Sequence, residues 1–267
     1  MESSQEKLIR SIIQKEVSLF SSDFEKRHLS ELDDPDGVIN SKVHNIFIGA
    51  LGDEIQFYSA LVRSLDSSLG SLIEKMALAI AETHFYVTQH VEGRLYTEQT
   101  SYIAELLQNY LTQRSRPHKT DLDKLRALNK GKVHEKRHAS DYMLENRVTG
   151  VKSLIELKLG GDLDNKKARS EKEALLEQFC ILSNEQGTNT EINLHFATAY
   201  NRYGEGKKWK QERVLRFFSE DELLISADFW NFITQDSRGS EIILSEYKKQ
   251  SHQINIALNN LKAAYVR

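Results

Sequence analysis

The chain has 267 residues, of which 39% are hydrophobic and 28% are charged, and its formal net charge is −3. It contains only 2 prolines, 13 glycines and no Pro-rich or Ser/Gly tract, which excludes collagen-like, mucin-like and long-linker architectures. The single cysteine, Cys180, excludes an internal disulfide and a Cys-x-x-Cys metal site, and this usage indicates a reducing compartment.

The first residues do not have the pattern of a signal peptide. Glu6, Arg10 and Lys15 interrupt the apolar residues there, and the longest apolar run of the chain is the six residues Met76–Ala81. A membrane span needs about 20 apolar residues. We therefore expect a cytoplasmic protein that does not contact a membrane.

Apolar spacing predicts that the first 115 residues are mainly helical. One stripe runs from Leu69 to His84 at intervals of three and four residues, and a second helix is expected over Tyr102–Gln113. Before both of these helices, the acidic segment Glu31–Gly37 contains Pro35 and Gly37, which predict a turn.

From residue 141 the periodicity changes from 3.6 to 2, which predicts strands. The expected elements are strands 141–146 and 151–159, a helix over 168–182 capped by Asp162 or Asp164, a strand at 191–200, and helices at 221–232 and 244–266. The fold class is mixed α/β, with a central mixed sheet flanked by helices behind a helical N-terminal part. We expect one domain over 1–267, with its core at 134–200 and a basic loop and C-terminal helices at 201–267.

Charge is distributed unevenly along the chain. Residues 1–100 hold 16 acids and 9 bases, whereas Arg114–His138 holds 9 bases and 3 acids. A second basic stretch, Asn201–Arg216, has six bases and two acids and contains Tyr203 and Trp209. Two basic segments in an acidic protein suit a polyanion surface, although charge runs are more often solvated helix faces and loops.

The strand at 151–159 places Glu156 and Lys158 on one face. If it pairs with the preceding strand about the turn Asn146–Gly150, Asp141 lies opposite Glu156. Two like charges in directly opposed positions are destabilising unless a cation lies between them. The alternative is an exposed polar strand face, since Glu-x-Lys also occurs at 205–207 and 246–248 without strand context.

A divalent cation would relieve that repulsion. The carboxylates of Asp141 and Glu156 and the main-chain carbonyl of Leu157 are hard oxygen ligands of the kind that Mg²⁺ takes, with water completing the shell. Lys158 is then placed to orient or deprotonate a metal-bound water as a nucleophile. The pattern therefore predicts Mg²⁺-assisted hydrolysis.

Asp141 followed by Glu156-Leu157-Lys158 resembles the PD-(D/E)XK nuclease signature, with Ser140 in place of the Pro. Together with the segments 33–37, 64–77, 134–146 and 155–179, it makes the chain similar to type II restriction endonucleases of the TdeIII/MjaII group. The resemblance implies a Mg²⁺-dependent homodimer that cuts both strands of DNA at a short symmetric site, GGNCC in that group, beside a cognate DNA methyltransferase. It also implies a further metal-site acid at Glu74, where a solvated glutamate is the alternative.

His134-Glu135-Lys136-Arg137-His138 also matches the H-E-x-x-H zinc protease pattern. The protease alternative requires a helix there, and it is opposed by the two cations inside the motif and by nearby Gly131. We expect instead that His134, Lys136 and Arg137 approach a phosphate or cap the strand that begins at Asp141.

DNA contacts are expected from two basic segments. Those predicted are Arg202, Tyr203, Lys207, Lys208 and Lys210 on a glycine-rich loop after the third strand, with Arg116 and Lys119 in the middle basic segment. Arg202 is the candidate for reading guanine, because arginine suits a bidentate contact to O6 and N7. A structure-specific or repair nuclease remains an alternative, as does a non-enzymatic binding protein that retains the strand pattern without metal.

Overall fold

The computed structural model describes residues 3–186 and 190–266. Its helices are α1 (Ser4–Ser30), α2 (Ile46–Gly49), α3 (Asp53–Ala81), α4 (Thr97–Leu111), α5 (Lys119–Ala127), α6 (Asn165–Gln186), α7 (Glu212–Leu215), α8 (Ala227–Thr234), α9 (Gly239–Gln250) and α10 (His252–Tyr265). Its strands are β1 (Phe85–Tyr96), β2 (Val133–Asn146), β3 (Lys152–Lys158), β4 (Ile192–Thr198) and β5 (Leu223–Ile225). No helix among the residues described is long and apolar enough to cross a membrane.

The chain forms two compact units. One contains the residues up to Ala79 and those from Glu241 onward, and the other is Ile80–Ser240. The predicted extent of the catalytic core, 134–200, falls in the second unit and stays a prediction, as does the single domain over 1–267.

The first unit is helical, as its periodicity predicts. Leu72, Met76 and Ala77 are buried along α3, but the helix ends at Ala81, so His84 lies beyond it. The predicted acidic turn is confirmed: the Gly37 amide donates to the Asp34 carbonyl at 3.0 Å, between α1 and a 3₁₀ helix at Asn40–His44. Part of the core is the cluster Phe24, Ile39, Phe57, Ala60, Leu61 and Leu261.

The second unit contains a five-stranded sheet with the order β1-β2-β3-β4-β5. The pairs β1/β2 and β2/β3 are antiparallel, and β3/β4 and β4/β5 are parallel. The predicted mixed sheet flanked by helices is therefore confirmed. Helix α6 connects β3 to β4, as a parallel pair requires, and its stripe Leu175, Leu176 and Phe179 is buried.

Four predicted elements differ from the structure. The segment 85–96, inside the expected helical part, is the edge strand β1. The second strand begins at Val133 and not at Asp141, so His134, Lys136 and Arg137 lie within it and do not cap it. The expected helix 221–232 is interrupted, because Leu223–Ile225 pairs with β4 as strand β5 before α8 begins. The C-terminal helix is divided into α9 and α10 about Ser251.

Candidate active site

The β2–β3 hairpin has the predicted register. Glu145 pairs with Lys152 and Tyr142 with Ile155, and the Glu145 and Lys152 side chains form an ion pair at 2.9 Å. Asp141 lies one residue beyond the paired positions, where its Oδ2 accepts a hydrogen bond from the Leu157 amide at 2.9 Å. The carboxylate of Asp141 is therefore held against the end of β3.

A β-bulge shapes the strand around Asp141. Thr88 pairs with Met143 and His90 with Ala139, so three residues of β2 lie opposite one residue of β1. Such bulges bend a strand and re-aim its side chains, and they are frequent beside active sites. Here the bulge contains Ser140-Asp141, the positions that resemble the first nuclease motif.

Glu156 is buried, with 8% of its surface exposed. The alternative of an exposed polar strand face is therefore wrong at this position. Burial first, and then the nearby Asp141 carboxylate, raise the pKa of Glu156 to about 8, while Lys158 opposes the shift. A buried carboxyl that is costly to ionise beside another carboxylate is an environment that a cation would stabilise.

Lys158 bridges two carboxylates. Its Nζ contacts Glu156 Oε1 and lies 3.2 Å from Glu171 Oε1. Burial alone would lower the pKa of Lys158, but the neighbouring carboxylates, Glu156 first among them, raise it above its ordinary value. Lys158 is therefore a cation here, which favours orienting a water molecule or contacting a phosphate over deprotonating the water.

Glu171 is a site residue that the sequence analysis missed. It lies on α6, three residues after Ala168 and four before Leu175, both of which are buried. A charged residue at a core-facing position of an amphipathic helix was the available signal. The next residue, Lys172, is also buried and forms an ion pair with Glu222 at 2.5 Å, which fixes this turn of α6.

The oxygen ligands at this site suit a Mg²⁺ ion that is bound by few protein groups. Within residues 3–186 and 190–266, no group of three or more His, Cys, Asp or Glu side chains is arranged to hold a metal ion. Asp141 and Glu156 nevertheless supply two carboxylates close together, and Mg²⁺ is commonly bound by one or two carboxylates with several waters. Carboxylate chemistry and the buried charge thus suit a hard cation.

This arrangement predicts a pH-dependent stability in metal-free protein. Because the folded state binds the Glu156 proton more tightly, it holds more protons than the unfolded chain between the ordinary pKa of 4.5 and about 8. The free energy of unfolding should therefore fall as pH rises through that window. Mg²⁺ should raise the melting temperature more at pH 8.5 than at pH 6, as measured by calorimetry. In Glu156→Gln both effects should shrink, and an unchanged response in that variant would contradict the assignment.

The zinc-protease alternative is wrong because its motif lies on strand β2 and not on a helix. Four residues along a strand separate His134 from His138 by about 13 Å, too far to share one metal ion. His138 Nε2 instead lies 2.8 Å from Glu177 Oε2 on α6, which also contacts Lys136. Arg137 lies on the other face, 3.6 Å from Glu92, and His134 is exposed.

The basic loop after β4 starts at the same end of the sheet as Lys158, where the parallel strands β3 and β4 both finish. Lys158 pairs with Thr198 in the parallel register, and Gly161, with φ +68, leaves no room for a Cβ against Thr198 and Trp209. Trp209 is thus a buried anchor of the loop rather than a surface aromatic. Lys207, Lys208 and Lys210 are exposed on it.

The other predicted DNA-contact residues differ in their exposure and in their ion-pair partners. Arg202 Nη1 is 2.7 Å from Asp162 Oδ1, so Arg202 must leave this partner to reach a base. Tyr203 is half-buried against the core. Arg116 and Lys119 are exposed, and Arg116 lines a cleft of about 400 Å³. Glu74 is exposed on α3 in the first unit, and its metal role stays a prediction.

Comparison with known proteins supplies the family. A family model described as type II restriction endonuclease, HinfI, matches residues 1–251, and no curated protein matches the chain. The match confirms the predicted class but does not point to the TdeIII/MjaII group specifically. The chain belongs to the HinfI family of type II restriction endonucleases.

Proposed function

We propose that this type II restriction endonuclease hydrolyses both strands of DNA at a short symmetric sequence with Mg²⁺, using Asp141, Glu156 and Lys158. The observation that carries the proposal is their convergence at the end of β3, with Glu156 buried and Lys158 between two carboxylates. Asp141 and Glu156 would hold the metal ion, with the Leu157 carbonyl as a further ligand. The bound ion would activate water and neutralise charge on the phosphate.

The protein groups have separate tasks in this proposal. Lys158, as a cation, donates hydrogen bonds to the attacking water or to a phosphate oxygen. The Leu157 amide fixes the Asp141 carboxylate at 2.9 Å, so that its position does not depend on the ion. Glu171, 3.2 Å from Lys158, keeps the ammonium group in place. Preorganised charges of this kind stabilise a transition state without reorganisation.

DNA would be held by basic residues on the loop after β4, on β2 and in the middle basic segment. The exposed lysines Lys207, Lys208 and Lys210 suit phosphates, as do Lys136, Arg137 and His134 on β2 and Arg116 and Lys119 in the other basic segment. Arg202 and Tyr203 are the proposed contacts closest to the bases. Phosphate contacts position the enzyme, and base contacts determine the sequence that it cuts.

The most specific part of the proposal is the recognition sequence. GGNCC rests on the resemblance to the TdeIII/MjaII group alone, and it is the first sequence to test. A homodimer and a cognate DNA methyltransferase complete the proposed system, because a two-fold symmetric site suits two identical chains and host DNA needs protection.

Digestion of a long duplex DNA of known sequence tests the proposal. With Mg²⁺ the protein should give discrete fragments whose sequenced ends share one short symmetric motif, and EDTA should abolish cleavage. Zn²⁺ alone should not restore it, because the ligands are carboxylate and carbonyl oxygens. A smear would indicate a nonspecific or structure-specific nuclease, and full activity with Zn²⁺ would overturn the metal assignment.

Weakening the basic loop should reduce binding more than chemistry. In Lys207→Ala/Lys208→Ala, DNA affinity should fall, and the slope of log K against log salt should flatten by about 0.9 for each phosphate that the protein no longer neutralises. Gel shifts in Ca²⁺ measure both quantities. The matched control is Lys248→Ala on α9, an exposed lysine that should leave the slope unchanged. Equal affinities for all three proteins would exclude the loop from the DNA contact.

A further inference from the structure

A cleft of about 430 Å³ lies in the first unit, and we call it the Arg27 cleft. Three basic side chains line it, one each from α1, the 3₁₀ helix Asn40–His44 and α3: Arg27, Lys42 and Arg63. Among its described lining residues, Asp36 is the one acid. Residues 1–100 hold 16 acids and 9 bases, so a third of these bases line one cleft in an acidic part of the chain.

The positive charge of the cleft is not neutralised within the chain. Across residues 3–186 and 190–266, Arg27, Lys42 and Arg63 form no ion pair, although Asp36 lies at the same cleft. Burial first, and then the Arg27 charge, lower the pKa of the buried neighbour His28. Clefts lined by charge of one sign concentrate counter-ions. An anion is therefore the ligand that this cleft favours.

The Arg27 side chain is held in place before any ligand binds. Its Nη2 donates hydrogen bonds to Ser64 Oγ at 3.1 Å and to Ser68 Oγ at 3.2 Å, and its guanidinium carbon lies 5.3 Å from the centre of the Phe24 ring. Among the described residues, every hydrogen bond of this side chain uses Nη2, so the donors on Nε and Nη1 remain for a ligand. A guanidinium fixed in this way suits the oxygens of a phosphate.

The rest of the lining also matches a phosphate. Four serines contribute hydroxyl groups, among them Ser64 and Ser68 on α3. Phosphate oxygens in protein–DNA complexes accept hydrogen bonds from arginine, lysine and serine side chains, the three kinds of donor present here. Of the described lining residues, only Val38 and Ala60 are apolar, which does not suit an apolar ligand.

An adjoining cleft of about 450 Å³ gives a comparison within the same unit. It shares Arg27 and Ser68 with the Arg27 cleft and is also lined by Lys75, but Glu16 and Asp23 lie there too. Its two bases are therefore matched by two acids. The anion is assigned to the Arg27 cleft because bases exceed acids only there.

We propose that the Arg27 cleft binds a backbone phosphate of DNA, in the unit that does not contain Asp141, Glu156 and Lys158. The phosphate chemistry rests on the cleft, and its assignment to DNA rests on the proposed function. A free phosphate ion is the other source of the same chemistry. A backbone contact positions the protein without reading sequence, so it should act equally on duplexes of unrelated sequence.

Gel shifts in Ca²⁺ across a salt series, on two duplexes of unrelated sequence, test this contact. In Lys42→Gln/Arg63→Gln, affinity at low salt should fall roughly 10-fold or more, as expected for lost hydrogen bonds to a charged group. The slope of log K against log salt should flatten by about 0.9 for one phosphate. The matched control is Lys7→Gln/Lys26→Gln, which removes two exposed lysines of α1 outside the cleft and should keep the wild-type affinity and slope.

Inorganic phosphate separates the two sources. In buffers of equal ionic strength, replacing chloride by phosphate should raise the melting temperature of the wild-type and control proteins more than that of Lys42→Gln/Arg63→Gln. Loss of DNA affinity in the cleft variant alone, with an unchanged melting temperature in chloride, supports the proposal. A phosphate effect without any loss of DNA affinity would show a site for a free ion and overturn the assignment to DNA.

Two further outcomes separate this inference from the proposed function. Equal losses of DNA affinity in the cleft variant and the control would reduce the effect to general charge and overturn the site. A protein that binds no DNA would defeat the proposed function, whereas a phosphate effect that requires the intact cleft would still support the anion site. Binding in Ca²⁺ is measured without cleavage, so the contact can be tested even if the catalytic assignment is wrong.

Discussion

Asp141→Asn should abolish DNA cleavage, lowering the single-turnover rate by roughly 10²–10⁴-fold or more, the range for loss of one positioned catalytic group. The reason is the removal of a negative charge, since a neutral amide is a poor ligand for a hard cation. The amide oxygen can still accept the Leu157 N–H bond that the carboxylate accepts at 2.9 Å, so the fold should be kept. DNA affinity without metal should hold or rise, because one negative charge near the phosphate is removed.

Rapid-quench measurements at saturating protein, paired with gel shifts, check this expectation. The matched control is Asp228→Asn, an exposed aspartate on α8 of the same unit that is not a proposed metal ligand, which should cut at the wild-type rate. Glu156→Gln should behave like Asp141→Asn. Wild-type cleavage by Asp141→Asn in Mg²⁺ would remove Asp141 from the metal site.

Lys158→Ala should slow the chemical step by a similar factor, roughly 10²–10⁴-fold, while DNA affinity is largely retained. The substitution leaves both carboxylates and the basic surfaces in place and removes only the cation between Glu156 and Glu171. Cleavage rates at saturating protein separate this effect from binding. A loss of affinity equal to the loss of rate would show that Lys158 holds DNA instead.

The candidate catalytic set could be predicted from the sequence because it depends on local patterns. Strict alternation places Glu156 and Lys158 on one face, and the short turn at Asn146–Gly150 fixes which residue pairs with Lys152. Both features lie within twenty residues of each other. The observed pairing of Glu145 with Lys152 follows from that turn.

Elements that depend on distant packing could not be predicted in the same way. Strand β1 has only Phe85, Val91 and Leu95 buried among twelve residues, so its apolar alternation is weak. It is an edge strand of the sheet, and pairing with β2 makes it a strand. Polar edge strands carry little periodic signal.

Glu171 shows the same limit within the site. Its approach to Lys158 requires α6 to cross back over β3, a tertiary arrangement that spacing alone does not give. The H-E-x-x-H motif was misleading because its spacing brings the two histidines together only on a helix. Pairing with β1 makes that segment a strand.

The most direct test of the central claim compares two Glu-x-Lys lysines on one DNA substrate. Glu156-Leu157-Lys158 lies at the end of a buried strand, whereas Glu246-Tyr247-Lys248 lies on α9, where Glu246 accepts hydrogen bonds from Arg10 and Gln250. On a duplex carrying the mapped site, in Mg²⁺ and at saturating protein, Lys158→Ala should be almost inactive while Lys248→Ala cuts at the wild-type rate. Cleavage by Lys158→Ala at the wild-type rate would contradict the proposed active site.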